Sequence, residues 1–285
     1  MRIVEKANAK INLTLNIVSK RENGYHNLKM IMTPISLYDE LFIEDSEVNK
    51  VVCNVEGLTG TDNIVYKTIK KLQNLYDIEK NVKIEIIKQI PIGAGLGGGS
   101  ADCAATLRGL NELWNLGLSL DELAEIGLTL GADVPFCIYN RQAVVSGIGE
   151  NIEFIDDIFG YVVLVIPKIG VSTKEIFSNT NSLIFTEKNI DKQLEYIIGN
   201  NIQALKKILF NDLEKVTLGL NNELQEISGD IKHIDKYFIM TGSGSVFYSI
   251  YETERESNQI VEALKKEGFN ILKSSIVCNR LQCLL

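Results

Sequence analysis

A glycine-rich segment decides how this chain is interpreted: Pro91-Ile92-Gly93-Ala94-Gly95-Leu96-Gly97-Gly98-Gly99-Ser100. The stretch before it, 82–87, alternates like a strand, and the alanine- and leucine-rich run after it is typical of a helix. Glycine allows positive φ and lets a ligand approach the backbone. The N–H groups of such a loop and of the following helix form a site for an anion. The segment therefore predicts a phosphate-binding loop, since the alternative, a flexible surface turn, needs only one or two glycines.

The surroundings of this segment exclude the better-known phosphate loops. Gly93-x-Gly95-x-x-Gly98 matches the dinucleotide fingerprint, but that fold needs a second strand ending in an acid about 20 residues later. Residues 111–130 instead predict two helical pieces. A Walker loop is excluded because no Gly-Lys-Ser/Thr closes the run, and the His-Arg-Asp and Asp-Phe-Gly motifs of protein kinases are absent.

The composition excludes several other classes of protein. The 285 residues carry 29 basic and 37 acidic side chains, a net charge of -8, which disfavours a nucleic-acid groove but permits an anionic small molecule. No apolar run approaches the roughly 20 residues of a membrane-spanning helix, and residues 1–20 lack the apolar core of a signal peptide. We expect free thiols in a reducing cytoplasm and no zinc site, because the cysteines are odd in number, widely scattered and never in CxxC: Cys53, Cys103, Cys137, Cys278 and Cys283. The expected state is a monomer or homodimer.

Alternating apolar residues predict strands along most of the chain. Residues 11–17 alternate strictly, which places Lys10 and Asn12 on the polar face of a half-buried strand, and Asn23-Gly24 predicts a tight turn after it. Similar patterns predict strands near 28–37, 40–44, 50–55, 82–87, 143–148, 161–166, 237–241, 246–251 and 269–278. Because the early strands follow one another without helices, we expect an α+β protein. We place a boundary between domains 1–155 and 156–285.

Helix signals are clearest where capping residues precede an apolar stripe. Asp62 is predicted to cap a helix with its stripe at Ile64, Thr68, Leu72 and Leu75 or Tyr76. A helix is predicted from Ser100, and capping boxes at Ser119-x-x-Glu122 and Thr253-x-x-Glu256 predict two more starts. The helix that begins at Ser119 is predicted to end near Leu130. Further helices are predicted over 189–199, 201–210 and 218–228.

Two charged residues are candidates for catalysis, and each also has an ordinary interpretation. Asp133 lies in Gly131-Ala132-Asp133-Val134-Pro135, where a stiff backbone would aim a carboxylate as a general base. The alternative is an acid in a loop that ends a helix. Lys10 is either a solvated lysine or, beside Asn12, one member of a charge pair with a base.

Two further segments are weaker signals. Tyr25-His26 follows the Asn-Gly turn and would stack on and hydrogen-bond a planar ligand, although a single aromatic pair is not specific. Thr241-Gly242-Ser243-Gly244-Ser245 is a second small-residue loop between predicted strands, and it is equally well an ordinary hairpin.

Taken together, these segments resemble a known superfamily. The order Pro91–Ser100, Gly131–Pro135, Thr241–Ser245 is similar to that of the kinases of galactose, homoserine, mevalonate and phosphomevalonate, the GHMP kinases. Within this superfamily, Ala9–Leu13 and Gly24–Leu28 resemble the branch that phosphorylates a cytidine-diphosphate-linked sugar alcohol of the non-mevalonate isoprenoid route. The resemblance spans nearly the whole chain.

The resemblance implies roles for individual residues. ATP with Mg²⁺ is the implied phosphoryl donor, and the glycine-rich segment with Ala101 would hold it, together with Asn63 and Lys88 by their spacing. Lys10 and Asp133 match the family's catalytic pair. The metal ligands are left open. The 2-hydroxyl of the acceptor is phosphorylated in this family, with cytosine held by Tyr25 and His26 on one side and Phe177 on the other; the implied acceptor-binding residues are Asn12, Tyr25, His26, Thr173 and Phe177.

The resemblance also implies an architecture and leaves alternatives open. It implies an N-terminal ribosomal-protein-S5-like domain and a C-terminal ferredoxin-like domain with the active site between them. A sister kinase for another small alcohol, such as homoserine, is one alternative, and a non-catalytic ATP-binding sensor is another. The aromatic residues favour a pyrimidine-bearing substrate over the first, and the catalytic pair counts against the second.

Overall fold

Two long strands open the chain, β1 (Arg2–Lys20) and β2 (His26–Ser46). The predicted turn between them is confirmed: Gly24 has φ +87°, and Arg21 N donates to Tyr25 O at 2.7 Å. The sequence predicted two strands over 28–37 and 40–44, but β2 is continuous. Residues 38 and 39, which the prediction left between the two strands, lie within β2, and Asp39 is fully buried.

The computed structural model describes residues 1–180 and 183–278, and these form two compact units. Unit 1 consists of Met1–Ala9, Leu37–Ile90 and Gly97–Asn140. Unit 2 consists of Lys10–Ser36, Pro91–Leu96 and the chain from Arg141 onward. Both units are discontinuous in sequence, and the predicted boundary at residue 155 remains a prediction.

Unit 1 has an antiparallel and a parallel strand pairing. β4 (Asn81–Ile87) runs antiparallel to β2 over Glu40–Ser46, and β3 (Lys50–Cys53) runs parallel to β4. Every second residue of β4 is buried, as the alternation predicted: Val82, Ile84 and Ile86.

The helices of unit 1 are α1 (Ile64–Tyr76), α2 (Gly98–Leu113), α3 (Leu120–Leu128) and α4 (Val134–Tyr139). The predicted cap of α1 is wrong, because Asn63 and not Asp62 accepts the N–H of Val65. The predicted stripe is also partly wrong. Packing against α2 buries Val65, Thr68, Ile69 and Leu72, whereas Leu75 and Tyr76 are exposed.

The capping box of α3 is confirmed in both of its hydrogen bonds, between Ser119 and Glu122. Helix α3 ends at Leu128, close to the predicted end near Leu130, and the segment Gly131–Pro135 leads into the short helix α4, which the sequence did not predict. Pro135 lies in the first turn of α4, where its missing N–H has no helical partner to lose.

Unit 2 contains a four-stranded antiparallel sheet within the described residues. Its order is β11 (Ile271–Ser275), β7 (Tyr161–Val165), β10 (Phe247–Tyr251), β9 (Ile239–Met240). Elsewhere in unit 2, β5 (Ala143–Gly147) pairs with β2, the unpredicted β6 (Asn151–Phe154) pairs with β5, and β8 (Phe210–Asn211) pairs with β1.

The helices of unit 2 are α5 (Thr173–Ser178), α6 (Asp191–Ile198), α7 (Ile202–Leu205), α8 (Asp212–Leu220), α9 (Asn222–Ile234) and α10 (Glu254–Lys266). The helices predicted over 201–210 and 218–228 have wrong bounds. Asparagine side chains cap α8 and α9 at Asn211 and Asn221, so these helices begin where the apolar periodicity gave no signal. The capping box from Thr253 to Glu256 at α10 is confirmed.

The expectations about membrane-spanning helices and about the cysteines can be compared with the described residues. In residues 1–180 and 183–278, no helix has the length and apolar character that crossing a membrane requires. No disulfide joins the cysteines within these ranges: Cys53, Cys103, Cys137 and Cys278. Cys283 lies outside the described residues.

Candidate active site

The first half of the glycine-rich segment, Gly93–Leu96, is tied into unit 2 through its carbonyl groups. Each of its four carbonyl oxygens accepts a hydrogen bond, in order from Val171 N (3.5 Å), Val246 N (3.3 Å), Thr241 Oγ1 (3.5 Å) and Lys10 N (3.0 Å). Carbonyl oxygens repel phosphate, so their engagement by the protein is the orientation that an anion-binding loop needs.

The backbone of this segment requires glycine for two separate reasons. Gly93, Gly95 and Gly97 have φ of +64°, +75° and +71°, a region that side chains with a Cβ rarely adopt. In addition, a Cβ on Gly95 would lie 2.2 Å from the backbone oxygen of Thr241. The alternating glycines therefore serve a tight fold of the loop as well as any ligand.

The second half of the segment begins helix α2 in unit 1. Gly97 is the N-cap, and the N–H groups of the first turn belong to the residues that follow it. A Cβ on Gly99 would meet nothing within 4 Å. A Cβ on Gly131 would lie 3.8 Å from Ser100 Oγ, so unit 1 brings the start of α2 next to the segment that carries Asp133.

Asp133 itself is the N-cap residue of α4. Val134 N donates to Gly131 O at 3.1 Å, and Cys137 N donates to Asp133 O at 3.1 Å. The backbone on both sides of Asp133 is therefore held by hydrogen bonds, as a general base requires. Its side chain is half-buried.

In unit 2, Lys10 and Asn12 are buried on β1, with exposed fractions of 4% and 1%. Lys10 Nζ donates to Asn12 Oδ1 at 2.8 Å. The backbone of Asn12 is held on both sides, because its N–H donates to Thr241 Oγ1 at 3.1 Å and its carbonyl accepts from Tyr248 at 2.7 Å. The interpretation of Lys10 as a solvated lysine is therefore wrong.

The loop Thr241–Ser245 joins the antiparallel strands β9 and β10 and contacts two predicted residues of unit 2, Asn12 and Thr173. Thr241 contacts Asn12, as described above, and Ser243 Oγ lies 2.9 Å from Thr173 Oγ1. Thr173 is the first residue of α5 and is exposed. This loop therefore connects Asn12 and Thr173, which lie far apart in sequence.

An aromatic cluster lies in the same unit. The rings of His26 and Phe177 have centroids 5.3 Å apart and are tilted by 35°, and Phe185 contacts His26 edge-on at 5.8 Å. The structure thus places His26 and Phe177 in direct contact, and their implied positions on opposite sides of a cytosine remain a prediction. Tyr25 is 59% exposed, and its stacking role remains a prediction.

Hydrogen bonds to Thr180 fix the tautomer of His26. Thr180 Oγ1 donates to Phe177 O at 2.9 Å and lies 3.0 Å from His26 Nε2. Because a hydroxyl has a single hydrogen, Nε2 must donate to it, which leaves Nδ1 of the neutral ring as an acceptor. Burial and the charge of Lys20 lower the pKa of His26 and favour this neutral form.

Asn63 and Lys88, which the resemblance implied by spacing alone, both have hydrogen-bond partners within unit 1. Asn63 Oδ1 accepts from Val65 N at 2.9 Å and its Nδ2 donates to Leu58 O at 2.7 Å. The ammonium of Lys88 lies between the carboxylates of Asp39 and Asp102, at 2.6 and 2.8 Å. Their contacts with a nucleotide remain predictions.

Several residues of these clusters were not predicted. Asp39 had a detectable signal, because it occupies the apolar face of β2 with Leu41 and Ile43. Asp102 interrupts the alanine-rich start of α2 and could have been noted for the same reason. Thr180 and Phe185 had no signal, since only the tertiary structure places them beside His26.

The described residues do not hold a metal site of their own. Across residues 1–180 and 183–278, no group of three or more histidines, cysteines or acids is placed to bind an ion. Mg²⁺ in phosphoryl-transfer sites is held mainly by substrate phosphates and one or two protein oxygens. Ser100 and Asp133 are oxygen donors of this kind, and the residues present fit an ion carried in by a nucleotide.

Comparison with known proteins agrees with this geometry. Residues 63–141 match the model of the GHMP kinases N terminal domain. A 4-diphosphocytidyl-2-C-methyl-D-erythritol kinase of Bacillus cereus is 39% identical over 270 residues, which is 93% of each chain. A crystal structure of 4-(cytidine 5'-diphospho)-2C-methyl-D-erythritol kinase superposes with a TM-score of 0.82 at 28% identity, covering 97% of this chain and all of the other.

A more distant neighbour shares the fold alone. Homoserine kinase from Cytophaga hutchinsonii has a TM-score of 0.76 but 16% identity, over 97% of this chain and 94% of its own. The sequence identity and its coverage decide between the branches of the superfamily. The chain belongs to the 4-diphosphocytidyl-2-C-methyl-D-erythritol kinase family of the GHMP kinases.

Proposed function

We propose that this chain transfers the γ-phosphoryl group of ATP to the 2-hydroxyl of 4-diphosphocytidyl-2-C-methyl-D-erythritol, in the non-mevalonate route to isoprenoids. The family membership supports the kinase activity and its acceptor. The sister alternative, homoserine phosphorylation, is not favoured, because the homoserine kinase neighbour is similar only in fold. The sensor alternative is not favoured either, since the relatives are named as kinases.

The proposed identity of the acceptor is supported mainly by the contact between His26 and Phe177 in unit 2. A cytosine ring has two flat faces for aromatic contact and an exocyclic amine that donates hydrogen bonds. Phe177 offers a ring face, and Nδ1 of the neutral His26 offers an acceptor for that amine. Uracil carries a carbonyl oxygen in place of the amine and would face His26 Nδ1 with a second acceptor.

The glycine-rich segment is the proposed binding site for the ATP phosphates. The carbonyl oxygens of Gly93–Leu96 are bound within the protein, and the first turn of α2 presents N–H groups. Pro91 through Ala101, with Asn63 and Lys88, are the proposed nucleotide residues. Bound Mg²⁺ would supply charge neutralisation on the phosphates.

The proposed transfer needs little covalent chemistry from the protein. The oxygen of the acceptor hydroxyl forms a bond to the γ-phosphorus while the bond from that phosphorus to the bridging oxygen of ADP breaks. Asp133 accepts the hydroxyl proton, and the ammonium of Lys10, held by Asn12, stabilises the negative charge that develops. Thr173 and Asn12 are proposed to contact the acceptor.

Finer points of the organisation are also proposals. We assign an S5-like N-terminal domain and a ferredoxin-like C-terminal domain, with the boundary near residue 155. The described cysteines form no disulfide with one another, which supports a reducing compartment such as the cytoplasm. The expected state is a monomer or homodimer that binds no nucleic acid.

A coupled assay of ADP release tests the function. Purified protein is given ATP, Mg²⁺ and, in separate reactions, 4-diphosphocytidyl-2-C-methyl-D-erythritol, its uridine-diphosphate counterpart, homoserine and mevalonate. We expect turnover with the cytidylated alcohol and much lower kcat/KM with the other three. Comparable turnover of homoserine or mevalonate, or none with the cytidylated alcohol, would contradict the proposal.

Asp133→Asn is the matched inactive control for this assay. Loss of a general base reduces kcat by about 10²–10⁴. The variant keeps the shape of the side chain, so its melting temperature and its affinity for ATP should stay close to those of the original protein. Full activity would remove Asp133 from the mechanism.

A further inference from the structure

Three charged side chains meet in the interior of unit 1: Asp39 in β2, Lys88 just after β4 and Asp102 in α2. Lys88 Nζ donates to Asp39 Oδ2 at 2.6 Å and to Asp102 Oδ2 at 2.8 Å. The exposed fractions of the side chains are 0% for Asp39 and 5% for each of the other two. We refer to these three residues as the loop clamp.

One side of the loop clamp holds the residues that lead into the glycine-rich segment. Asp39 Oδ1 accepts from Gln89 N at 2.5 Å and from Ile90 N at 2.8 Å, in addition to the bond from Lys88. One carboxylate therefore binds donors on three consecutive residues immediately before Pro91. Because β4 ends at Ile87, Asp39 replaces the strand partner that these N–H groups have lost.

The other side of the loop clamp holds the residues that follow the segment. Asp102 lies in α2, which begins at Gly98. A Cβ on Gly98 would lie 3.0 Å from Ile90 Cγ2 and 3.2 Å from Lys88 Nζ, so the start of α2 packs directly on the clamp. Ile90, just before the segment, and Gly98, near its end, are thus fixed to each other in unit 1.

The loop clamp contributes geometry more than net stability. It contains two carboxylates and one ammonium, and in the described residues Asp102 Oδ1 has no hydrogen-bond partner. Burial, opposed by the charge of Lys88, raises the pKa of Asp102 to about 7. Buried charges that are imperfectly paired add little to stability, yet breaking one of their bonds is unfavourable. The ends of the segment therefore cannot separate without that penalty.

We propose that Asp39 is a positioning residue for ATP, which acts through the loop clamp to hold both ends of the glycine-rich segment in the geometry that binds the phosphates. The inference rests on the proposed function, because it requires this segment to bind ATP. It gives Lys88 a role as the bridge between Asp39 and Asp102. Asp39 itself contacts Lys88, Gln89 and Ile90, and it affects the nucleotide through them.

Asp39→Asn tests the proposal, because it removes the charge and keeps the shape. Affinity for a non-hydrolysable ATP analogue is measured by titration calorimetry, and KM values are measured for ATP and the cytidylated alcohol. We expect the analogue to bind about tenfold more weakly, with a matching rise in KM for ATP. The KM for the cytidylated alcohol should change by less than about twofold.

Glu5→Gln is the matched control, because it weakens another ion pair that anchors α2. Glu5 Oε2 accepts from Arg108 at 2.8 and 3.0 Å, further along the helix and away from the segment. Both variants should melt at a lower temperature, but only Asp39→Asn should lose affinity for the analogue. Unchanged affinity in folded Asp39→Asn, or an equal loss in both variants, would overturn the proposal.

A second variant and the original protein complete the test. If Asp39→Asn does not fold, Asp102→Asn decides, since it leaves the bonds of Asp39 in place and should weaken analogue binding about threefold. Unchanged binding in that variant would overturn the inference alone. An original protein that does not bind the analogue would overturn both the inference and the proposed function.

Discussion

Gly95 and Gly99, one in each half of the glycine-rich segment, lie in different surroundings. In Gly93–Leu96 the backbone is packed against unit 2, and a Cβ on Gly95 would lie 2.2 Å from Thr241 O. In Gly97–Ser100 the backbone begins α2, and a Cβ on Gly99 would meet nothing within 4 Å. A high density of glycine therefore does not by itself locate phosphate contacts. Only a glycine with open space around it leaves room for a ligand.

The largest effect is expected for Gly95→Ala. The methyl group would collide with a backbone oxygen, and φ of +75° is unfavourable for alanine. We expect the free energy of unfolding, measured by urea denaturation, to fall by about 3 kcal/mol or more. Gly24→Ala is the control, with φ of +87° and nothing within 4 Å, and it should lose only about 1 kcal/mol. Equal losses in the two variants would mean that the first half is not tightly packed.

A smaller effect is expected for Gly98→Ala, which lies in the second half of the segment but contacts the loop clamp. The added methyl group would meet Ile90 Cγ2 at 3.0 Å and Lys88 Nζ at 3.2 Å. The higher helix propensity of alanine offsets part of this crowding, so the net loss of unfolding free energy should be about 1 kcal/mol. A gain in stability would show that Ile90 and Lys88 move aside easily and that Gly98 is not tightly packed.

The loop clamp also predicts a pH dependence. Burial raises the pKa of Asp102 from 3.8 to about 7, so the folded protein keeps a proton that the unfolded chain releases between these values. Its contribution to stability is therefore present below about pH 4 and is lost as the pH rises through 7. In Asp102→Asn, the urea midpoint should fall less between pH 4.5 and 7.5 than in the original protein. Parallel curves for the two proteins would contradict this interpretation.

The smallest change in stability is expected for Gly99→Ala. This variant separates an effect on nucleotide binding from an effect on packing. Nothing lies within 4 Å of the added methyl group, so the unfolding free energy should stay within about 0.5 kcal/mol. Affinity for an ATP analogue should nevertheless fall, because the methyl group occupies the space proposed for phosphate. Gly229→Ala in α9, also in open space, is the control and should leave nucleotide affinity unchanged. Unaltered binding in Gly99→Ala would mean that phosphate does not approach this residue.

Local sequence patterns predicted most of the strands and several helix starts. The strands predicted at 11–17 and 82–87 and both capping boxes are confirmed, because these signals depend on neighbours within a few residues. The half-buried character predicted for 11–17 is wrong, since both faces of β1 are buried there. The bounds of α7, α8 and α9 were wrong, since short helices capped by asparagine leave little periodicity to detect. The exposed Leu75 and Tyr76 show the same limit, because the buried face of α1 depends on its partner α2.

For the candidate site, the sequence named several residues and missed the residues that contact and position them. Lys10, Asn12, His26, Phe177 and the glycine-rich segment were identified from motifs and from the resemblance to a family. The residues that hold them in place were missed: Asp39, Asp102, Thr180 and Tyr248. They carry no motif, and they act through contacts with residues that lie far from them along the chain.

The sequence alone determined the strand periodicity, the phosphate-binding interpretation of Pro91–Ser100 and the kinase superfamily. These follow from backbone preferences and side-chain order, which act along the chain. The packing around Gly95, the open space at Gly99 and the enclosure of Lys88 by two carboxylates are visible only once the chain is folded. Space around a backbone atom and compensation of a buried charge depend on segments that folding brings together, and no local pattern records them.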